Sequence, residues 1–507
     1  LEKNYKVQFK LFEEKIAWLN SQLFARTSEK LTPEDIQQSL LFDESEQMMI
    51  DKDTVPAETK EVKISSYTRK KGTRKKLPDW LPRIDVIHDL AAEDKLLPDG
   101  RELKKIGEVV SEKLDIIPPK FQVIRNIRYK YAVPENTAEI SNDDNEEEQP
   151  GIVVAALPPQ LLEKSIATPG LAAFSIVSKF CDALPFYRQS KIFARVDIDL
   201  PRATLCRWPI MIHGKYRDFF LLMREEIQRY PVIGIDETRV QVLDEPGRKN
   251  TDTSYMWVFR GHGAEKPTIL FEYNPSKSAH VALEHLKDYE GCIQTDGYSS
   301  YDSLLRGKNA SHAGCWAHAR RKFYDAAKNA SNDSNASAAI SFIAKLYAVE
   351  NEAREKKLSI EEIKKIRNEK SRPVINGFRE WIDNKVDHIP PKSLLGKAIR
   401  YTLNEWEKLL LYLDDGTIPI DNNLVENTIR PFVVGRKNWL FSGSPDGAHA
   451  SAAFYSIIET AKACGHEPYW YLRHLFECLP YAKNRDELRA LLPQYLDPNE
   501  IPRKTNL

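Results

Sequence analysis

Three carboxylates occupy positions at which the sequence changes from one type of element to another. Asp236 and Asp296 each end a short apolar run, and Glu426 lies where a polar loop is expected to become a helix. Residues so far apart in sequence converge only through the fold. Magnesium and manganese ions take oxygen ligands and keep open positions for a substrate phosphate. Converging carboxylates therefore predict a site for two such ions, Mg²⁺ or Mn²⁺, and metal-dependent phosphodiester chemistry on nucleic acid.

Each acid also has a structural interpretation. An Asp at a strand end is commonly a turn former or a helix cap, and an acid in the first turn of a helix complements the helix dipole. The combination, after two apolar runs and at a polar helix start, favours catalysis. Asp421, which follows Pro419-Ile420, has the setting of an N-cap. Because residues five apart do not share a helix face, Glu426 rather than Asp421 is predicted to be the third ligand.

Strand patterns surround the first two acids. Apolar or aromatic runs at 231–236, 254–259 and 268–273 predict three strands. A helix from about 278 to 289 then leads to a fourth strand that ends at Asp296. This order predicts an α/β domain in which sheet ends carry the acids.

A long helix-rich stretch separates Asp296 from Glu426. Residues from about 335 to 415 are highly charged, with Pro373 and Pro390-Pro391 as expected breaks. This composition predicts a helical insertion. The predicted catalytic domain therefore spans residues 231–455 and carries this insertion, and a helical C-terminal segment follows at residues 456–507.

Five ordered motifs resemble those of the insertion-sequence-66 family of bacterial DDE transposases. They are Ile235-Asp-Glu-Thr238, Thr295-Asp-Gly-Tyr298, His312-Ala-Gly-Cys-Trp-Ala-His-Ala-Arg-Arg-Lys-Phe323, Asp421-Asn-Asn-Leu-Val-Glu426 and Gly435-Arg-Lys-Asn-Trp-Leu-Phe-Ser-Gly443. The similarity extends through Cys464-Gly-His-Glu-Pro-Tyr-Trp-Tyr-Leu472 and covers nearly the whole chain. It implies a retroviral-integrase-like (RNase H-like) catalytic core, in which the ends of the first and fourth strands lie side by side.

The resemblance implies a transposase that binds terminal inverted repeats of double-stranded DNA. Such an enzyme cleaves the transposon ends by metal-dependent hydrolysis and transfers the freed 3′-OH to target DNA. Asp236 would bridge both metals, and Asp296 and Glu426 would each complete one site. The implied partners are a second copy of the chain or a higher oligomer and accessory proteins of the same element, in the bacterial cytoplasm and at the nucleoid. Two alternatives are an RNase H-like nuclease without strand transfer and a transposase-derived DNA-binding regulator; the intact acid triad argues against the regulator.

DNA contacts must come from local clusters, because 74 basic and 74 acidic side chains give a net charge of zero. Cations beside the acids fit a phosphate backbone, although single ion pairs with Glu426 or Asp421 are an alternative. The predicted DNA-binding residues are Arg69, Lys70, Lys71, Arg74, Lys75, Lys76, Arg202, Thr204, Arg207, Arg320, Arg321, Lys322, Arg430, Arg436 and Lys437. Six cysteines without C-x-x-C spacing favour a reduced compartment over a disulfide framework. No apolar run has the length of a membrane span.

Residues 150–230 are predicted to be helical and to bind DNA. A helix opening at Leu184, a turn at 196–199 and a second helix from Leu200 have helix-turn-helix spacing. The alternative is that Leu205 and Trp208 pack this segment into an all-helical platform.

The N-terminal region is predicted to contain three segments. Residues 1–42 have coiled-coil spacing of apolar residues, which favours either dimerisation or packing within the domain. Residues 43–79 form an acidic and then basic linker, whose basic half is either a phosphate-binding tract or a solvated linker. Residues 80–140 resemble the family's small zinc-binding module, but Leu97 and Val133 stand where thiolates are expected. A metal-free β unit is therefore expected, and no zinc.

His312, Cys315 and His318 have a spacing that superficially suggests another metal site. A fourth ligand is missing, and a buried Cys315-Trp316 on a fifth strand is the preferred interpretation.

Overall fold

The structure of the protein is a computed structural model. It describes residues 121–132, 152–278, 280–281, 286–287, 289–296, 310–328 and 335–501. The predicted coiled coil, the linker with its six cations from Arg69 to Lys76, and most of the 80–140 module lie outside the described residues. Residues 121–132 and 152–157 belong to one compact unit, and the described residues from 158 onward belong to another.

The first unit contains a two-stranded antiparallel sheet. Strand β1 (Lys130–Ala132) pairs with β2 (Ile152–Val154), and Tyr131 lies opposite Val153. The predicted module ends at residue 140, so β2 lies beyond its boundary. The β-branched segment that follows the acidic run 142–148 in sequence pairs with β1.

A mixed five-stranded sheet forms the centre of the second unit. Its strands are β3 (Val232–Gln241), β4 (Thr253–His262), β5 (Ile269–Asn274), β6 (Cys292–Gln294) and β7 (Ser311–Ala313). The order is β5-β4-β3-β6-β7; β3, β4 and β5 pair antiparallel, whereas β6 and β7 continue the sheet in parallel. The first and fourth strands of the predicted core are therefore neighbours, as expected.

Helices cover both faces of this sheet. Alternate residues of a strand point to opposite sides, so neighbouring residues of one strand pack on different cores. Val232 and Cys292 pack on the core that the helical insertion forms, and Ile233 and Ile293 pack on the other core. The helices before the sheet are α1 (Pro169–Phe180), α2 (Phe186–Ala194), α3 (Arg202–Lys215) and α4 (Arg217–Ile227).

Helix α5 (Trp316–Ala327) follows β7, and the insertion comes next; together they form most of the core that Val232 and Cys292 join. The helices of the insertion are α6 (Asn335–Glu355), α7 (Ile360–Ile366), α8 (Arg372–Val386), α9 (Leu394–Asn404) and α10 (Trp406–Leu410), with a π-helical turn Arg367–Ser371 and a 3₁₀ turn Leu411–Leu413. Rings of Trp316, Phe323 and Trp406 surround Phe378, with centroids 5.9–6.2 Å away. The helical insertion predicted at about 335–415 is therefore observed.

Pro373 does not break the insertion, contrary to expectation. It lies in the first turn of α8, directly after the π-helical turn, so the backbone stays helical from Ile360 to Val386. A proline in a first turn removes no necessary hydrogen-bond donor. Pro390-Pro391 do separate α8 from α9, as predicted.

Four further helices and two 3₁₀ turns follow in the part of the chain that the structure describes. They are α11 (Asn423–Trp439), α12 (Pro445–Ala463), α13 (Pro468–Cys478), α14 (Arg485–Ala490) and two 3₁₀ turns, Leu479–Tyr481 and Pro493–Tyr495. The predicted boundary at 455/456 falls inside α12, because every residue from Ala450 to Ala461 is buried and no polar break interrupts the helix. Pro468 is the first residue of α13, and the Asn484 side chain caps α14 by accepting a hydrogen bond from Glu487 N at 2.9 Å.

Helix α12 contacts the outer strand β5 through two hydroxyl groups. Thr460 Oγ1 accepts from Ile269 N and donates to Ile269 O, both at 3.0 Å. Ser456 Oγ accepts from Phe271 N at 2.7 Å. None of the helices within the described ranges is long and apolar enough to cross a membrane.

Candidate active site

Asp236 lies within β3 and not at its end as predicted, because the strand continues to Gln241, whereas Asp296 lies two residues beyond the end of β6, beside it. Gly234 of β3 pairs with Gln294 of β6 in parallel register. Each aspartate follows its partner by two residues, so both lie at the same level and on the same side of the sheet. This is the side on which α11 packs.

Glu426 is brought to the two aspartates by close packing of α11 on β3. A Cβ on Gly234 would lie only 2.4 Å from Val425 Cγ2, so any larger residue would push the helix away. Asn422 Nδ2 donates to Ile235 O at 3.0 Å, next to Asp236. Glu426, in the first turn of α11, therefore faces the end of the sheet.

The three carboxylates interact electrostatically. Burial raises the pKa of Asp236 to about 8, and the negative charges of Glu237, Glu426 and Asp296 add to this effect. Burial also raises the pKa of Glu426, although the charge of Arg321 opposes the increase. The raised pKa values of Asp236 and Glu426 show that this cluster of acids has too little positive charge around it, and a bound cation would stabilise it.

The carboxylates of Asp236, Asp296 and Glu426 suit divalent cations, because they offer only oxygen ligands and lie at a partly open position where β6 ends. Among the described residues, no three His, Cys, Asp or Glu side chains are already arranged to hold a metal ion. Metal binding at Asp236, Asp296 and Glu426 would therefore require their side chains to turn toward a common point.

Asp421 is engaged elsewhere. The N-cap of α11 is Asn422 and not Asp421 as predicted, because Asp421 lies one residue before the cap; its Oδ1 accepts from Asn423 N at 3.1 Å in a local turn. Its Oδ2 accepts from Tyr347 OH at 2.7 Å and from Asn423 Nδ2 at 2.9 Å. This geometry supports Glu426 over Asp421 as the acid available to a ligand.

The cations predicted beside the acids differ in their surroundings. Arg321 lies 3.6 Å from Glu426 Oε2, and the charge of Arg430 also acts on Glu426. Lys322 lies over the Tyr401 ring at 4.5 Å, and Arg436 donates to Thr238 Oγ1 at 3.1 Å. Arg320 is half-buried and Lys437 is exposed.

His318 and Tyr401 are neighbours of the acids that the sequence interpretation missed. His318 Nε2 lies 3.6 Å from Glu426 Oε1, and burial lowers the pKa of His318 to about 4. Tyr401 OH donates to the main-chain oxygen of Asp296 at 2.9 Å. The position of His318 three residues before Arg321, on one face of a predicted helix, was the signal that could have found it.

The His312, Cys315 and His318 side chains do not converge on one point. His312 Nε2 contacts Thr295 Oγ1 at 2.8 Å, and the buried Cys315 Sγ accepts from Asn422 N at 3.2 Å. Cys315 is not on the strand as predicted; it lies beyond β7 and precedes α5, because the chain turns at Gly314.

Arg202 and Arg207 are exposed on α3, and Thr204 is half-buried. Leu205 and Trp208 on the same helix are buried, so the packing role and an exposed basic face coexist. The connection between α2 and α3, residues 195–201, is longer than the three- or four-residue turn of a helix-turn-helix motif.

Three more exposed cations precede them on and beside α2: Arg188, Lys191 and Arg195. The sequence Phe186–Ala194 contains no acid, which was the missed signal. Within the part of the chain that the structure describes, none of the five cations from Arg188 to Arg207 forms an ion pair. An unpaired basic face of this kind fits a phosphate backbone.

Protein-family models match most of the chain. The model described as Transposase IS66 family matches residues 164–450, which is more than half of the chain. Models described as Transposase C of IS166 homeodomain and IS66 C-terminal element match residues 11–86 and 456–494.

A fourth model corrects the prediction for zinc. It is described as the zinc-finger binding domain of transposase IS66 and matches residues 98–133. The expectation of no zinc is contradicted by this match, which points to zinc binding. That expectation rested on missing thiolates, with Leu97 and Val133 at the expected positions, but zinc also accepts oxygen ligands from Asp and Glu.

Curated relatives cover most of the chain as well. A Sinorhizobium fredii protein named "Uncharacterized protein y4jD" is 34% identical over 431 residues, which is 82% of this chain and 81% of the relative. "Uncharacterized protein y4qI" from the same organism is 30% identical over 490 residues, 93% of this chain and 86% of the relative. Together with the matched family models, the order of the motifs and the convergence of the acids, these similarities establish that the chain belongs to the IS66 family of transposases.

Proposed function

We propose that this transposase cleaves DNA at the ends of its insertion sequence and joins the freed 3′-OH to target DNA, using Asp236, Asp296 and Glu426 in an RNase H-like core. The observation that carries the proposal is the electrostatic effect among these carboxylates where β6 ends beside β3: the charge of Asp296 raises the pKa of both Asp236 and Glu426, and the charge of Glu426 raises that of Asp236. A structural role would not require two half-buried acids, Asp236 and Glu426, to lie beside each other and beside the exposed Asp296, because neighbouring negative charges make ionisation of the half-buried pair less favourable.

The three carboxylates would hold two divalent cations, Mg²⁺ or Mn²⁺, which would supply positive charge to the reacting phosphate and to the attacking and leaving oxygens. The other residues of the site would keep the acids in position. Asn422 ties the start of α11 to β3, and Tyr401 ties Asp296 to α9. His318, whose lowered pKa keeps it neutral at neutral pH, would contact Glu426 without competing with a cation for its charge.

DNA would reach this site along exposed basic side chains. Lys437 and Arg430 continue from Glu426 along α11, and the α2–α3 face offers five further cations. The predicted tract from Arg69 to Lys76 would add contacts of the same kind. Because these contacts are to phosphate, they would give affinity and register rather than sequence preference. Two copies of the chain would be needed to hold two DNA ends.

The test is a strand-cleavage and strand-joining assay in Mg²⁺ on a labelled duplex that carries the terminal inverted repeat. We expect the purified protein to nick the duplex and to join its labelled 3′ end to a second duplex. Glu426→Gln should abolish both products while DNA binding and the circular dichroism spectrum are unchanged. Asp421→Asn is the matched control: the amide oxygen of asparagine can still accept the hydrogen bond from Asn423 N, so most activity should remain.

Two results would contradict the assignment. An active Glu426→Gln protein beside an inactive Asp421→Asn protein would mean that Asp421 is the third acid. Cleavage without any joined product would favour an RNase H-like nuclease that lacks strand transfer.

A further inference from the structure

Helix α11 ends in a strained turn at Leu440. The backbone angles of Leu440 are φ 68° and ψ −53°, and Phe441 N donates to Trp439 O at 2.9 Å. This is the γ-turn with positive φ, which is rare and strained for a residue with a side chain. Glycine would adopt it readily. A leucine that bears strain near a site indicates a use for its side chain.

The surrounding backbone holds the turn in place. Leu440 N donates to Arg436 O at 2.7 Å, and Ser442 N donates to Gln241 O at 3.0 Å at the end of β3. Trp439 packs edge-on against Phe432 with ring centroids 5.5 Å apart. The next two side chains are nevertheless exposed, Leu440 by 64% and Phe441 by 44%. The turn therefore presents two apolar side chains to solvent from a rigid frame.

A basic cleft adjoins the turn. It has a volume of about 370 Å³, and Leu440, Arg239, Arg436 and Asp252 are among the residues that line it. Arg239 is exposed and makes no ion pair with any residue in the described ranges. Two arginines against one aspartate give the cleft a net positive charge. Its volume is at the lower end for ligand sites, about 300–1,000 Å³, which suits one nucleotide rather than a duplex.

The cleft is close to the acids. Arg436 donates to Thr238 Oγ1, and Thr238 follows Asp236 by two residues on the same side of β3. Two strand residues span about 7 Å, so a nucleotide in the cleft would be a close neighbour of a phosphate held at Asp236.

We propose that Leu440 and Phe441 insert as an apolar wedge into duplex DNA beside the cleaved phosphate, and that the Arg239–Arg436 cleft binds the nucleotide that the insertion unstacks. This rests on the proposed function, because the occupant is DNA. Apolar side chains such as Leu and Phe unstack base steps when they insert between them, and arginine binds the exposed phosphate. The wedge would open the DNA at the position where the strand is cut.

The experiment compares the affinity of the full-length protein for two labelled duplexes of one sequence, one fully paired and one with a short mismatched bubble. Because the bubble is already unstacked, we expect it to bind about tenfold more tightly than the paired duplex. Leu440→Gly keeps the turn without strain but removes the wedge, and it should bind both duplexes with similar affinity. Leu440→Met keeps an apolar wedge and should retain the preference.

Val386→Ala provides the control, since it truncates an apolar side chain that is 38% exposed on α8. It should bind like the unsubstituted protein. The wedge is overturned if Leu440→Gly retains the full preference, or if the unsubstituted protein binds paired DNA and shows no preference; the proposed function would survive both results. Failure to bind either duplex would overturn the proposed function and the wedge together.

Discussion

We expect Arg367, a residue of the insertion, to hold α11 and its Glu426 in position. Its guanidinium is 3% exposed and forms a bidentate pair with Glu350, at 2.8 and 2.7 Å. Its Nη1 also donates to the main-chain oxygens of Tyr412, Asp415 and Ile418 at 2.7–3.0 Å. Ile418 belongs to the segment that leads into α11, so one side chain connects the insertion to the helix that carries Glu426.

Arg367→Met should lower the free energy of unfolding by about 3–4 kcal/mol. Removing one partner of a buried ion pair costs about 3–5 kcal/mol. The Glu350 side chain is 12% exposed, so water reaches part of its carboxylate and the lower half of that range applies. Adding Glu350→Leu removes the unpaired charge but leaves the three carbonyls without their donor. The double variant should therefore lose only about 2 kcal/mol.

The assay is urea unfolding followed both by tryptophan fluorescence and by circular dichroism, since parts of a chain of this size can unfold separately. Strand cleavage is measured on the same samples at a temperature where the variants are folded. We expect Arg367→Met to reduce cleavage with unchanged DNA affinity. The reasoning is refuted if the single variant loses less than about 1 kcal/mol, or if the double variant is less stable than the single one.

Two further predictions concern charge. Burial and neighbouring acids raise the pKa of Asp236 to about 8 in the folded protein, so the metal-free protein should lose stability as pH rises from about 4, the unfolded value, to about 8. Asp236→Asn should therefore raise the melting temperature more at pH 9 than at pH 5, and Mg²⁺ should stabilise the unsubstituted protein more than this variant; equal melting shifts at both pH values would contradict the prediction. Replacing the three α2 cations with Gln should lower the slope of log Kd against log salt by about 2–3 for any duplex, because each phosphate contact contributes about 0.9. The changes are Arg188→Gln, Lys191→Gln and Arg195→Gln, with Lys364→Gln, Lys365→Gln and Lys392→Gln as a matched control on exposed cations of the insertion. An unchanged slope in the α2 variant, or an equal change in the control, would mean that α2 does not contact DNA.

The elements that carry the acids could be predicted because their signals are local. Apolar runs before Asp236 and Asp296 indicated buried strands, and the polar segment before Glu426 indicated a helix start. The resemblance to an RNase H-like core implied that the first and fourth strands are neighbours, and the parallel pairing of β3 with β6 brings the two aspartates together. The N-cap position predicted for Asp421 was wrong by one residue, since Asn422 is the N-cap and Asp421 bonds the amide of Asn423 from just before it.

Long-range contacts account for what the sequence did not predict. Nothing near Arg367 in sequence indicates that it would be buried, because its partners lie 17 residues before it and up to 51 residues after it. The contact between His318 and Glu426 likewise depends on how α5 packs against α11. Pro373 was predicted to break a helix because proline usually does so. The prediction was wrong because a π-helical turn precedes the proline, and such a turn has no sequence signal. The zinc expectation failed for a different reason, since it considered nitrogen and sulfur ligands alone.

The two hydroxyl groups on α12 that contact β5 have a consequence for self-association. An outer strand normally exposes amide groups that can pair with a strand of another molecule, and many proteins aggregate in this way. Thr460 and Ser456 already occupy the outward amides of Ile269 and Phe271. A second copy therefore cannot extend the sheet at β5 by strand addition. Molecules that meet at a pair of DNA ends would therefore have to join through a surface other than the outer edge of β5.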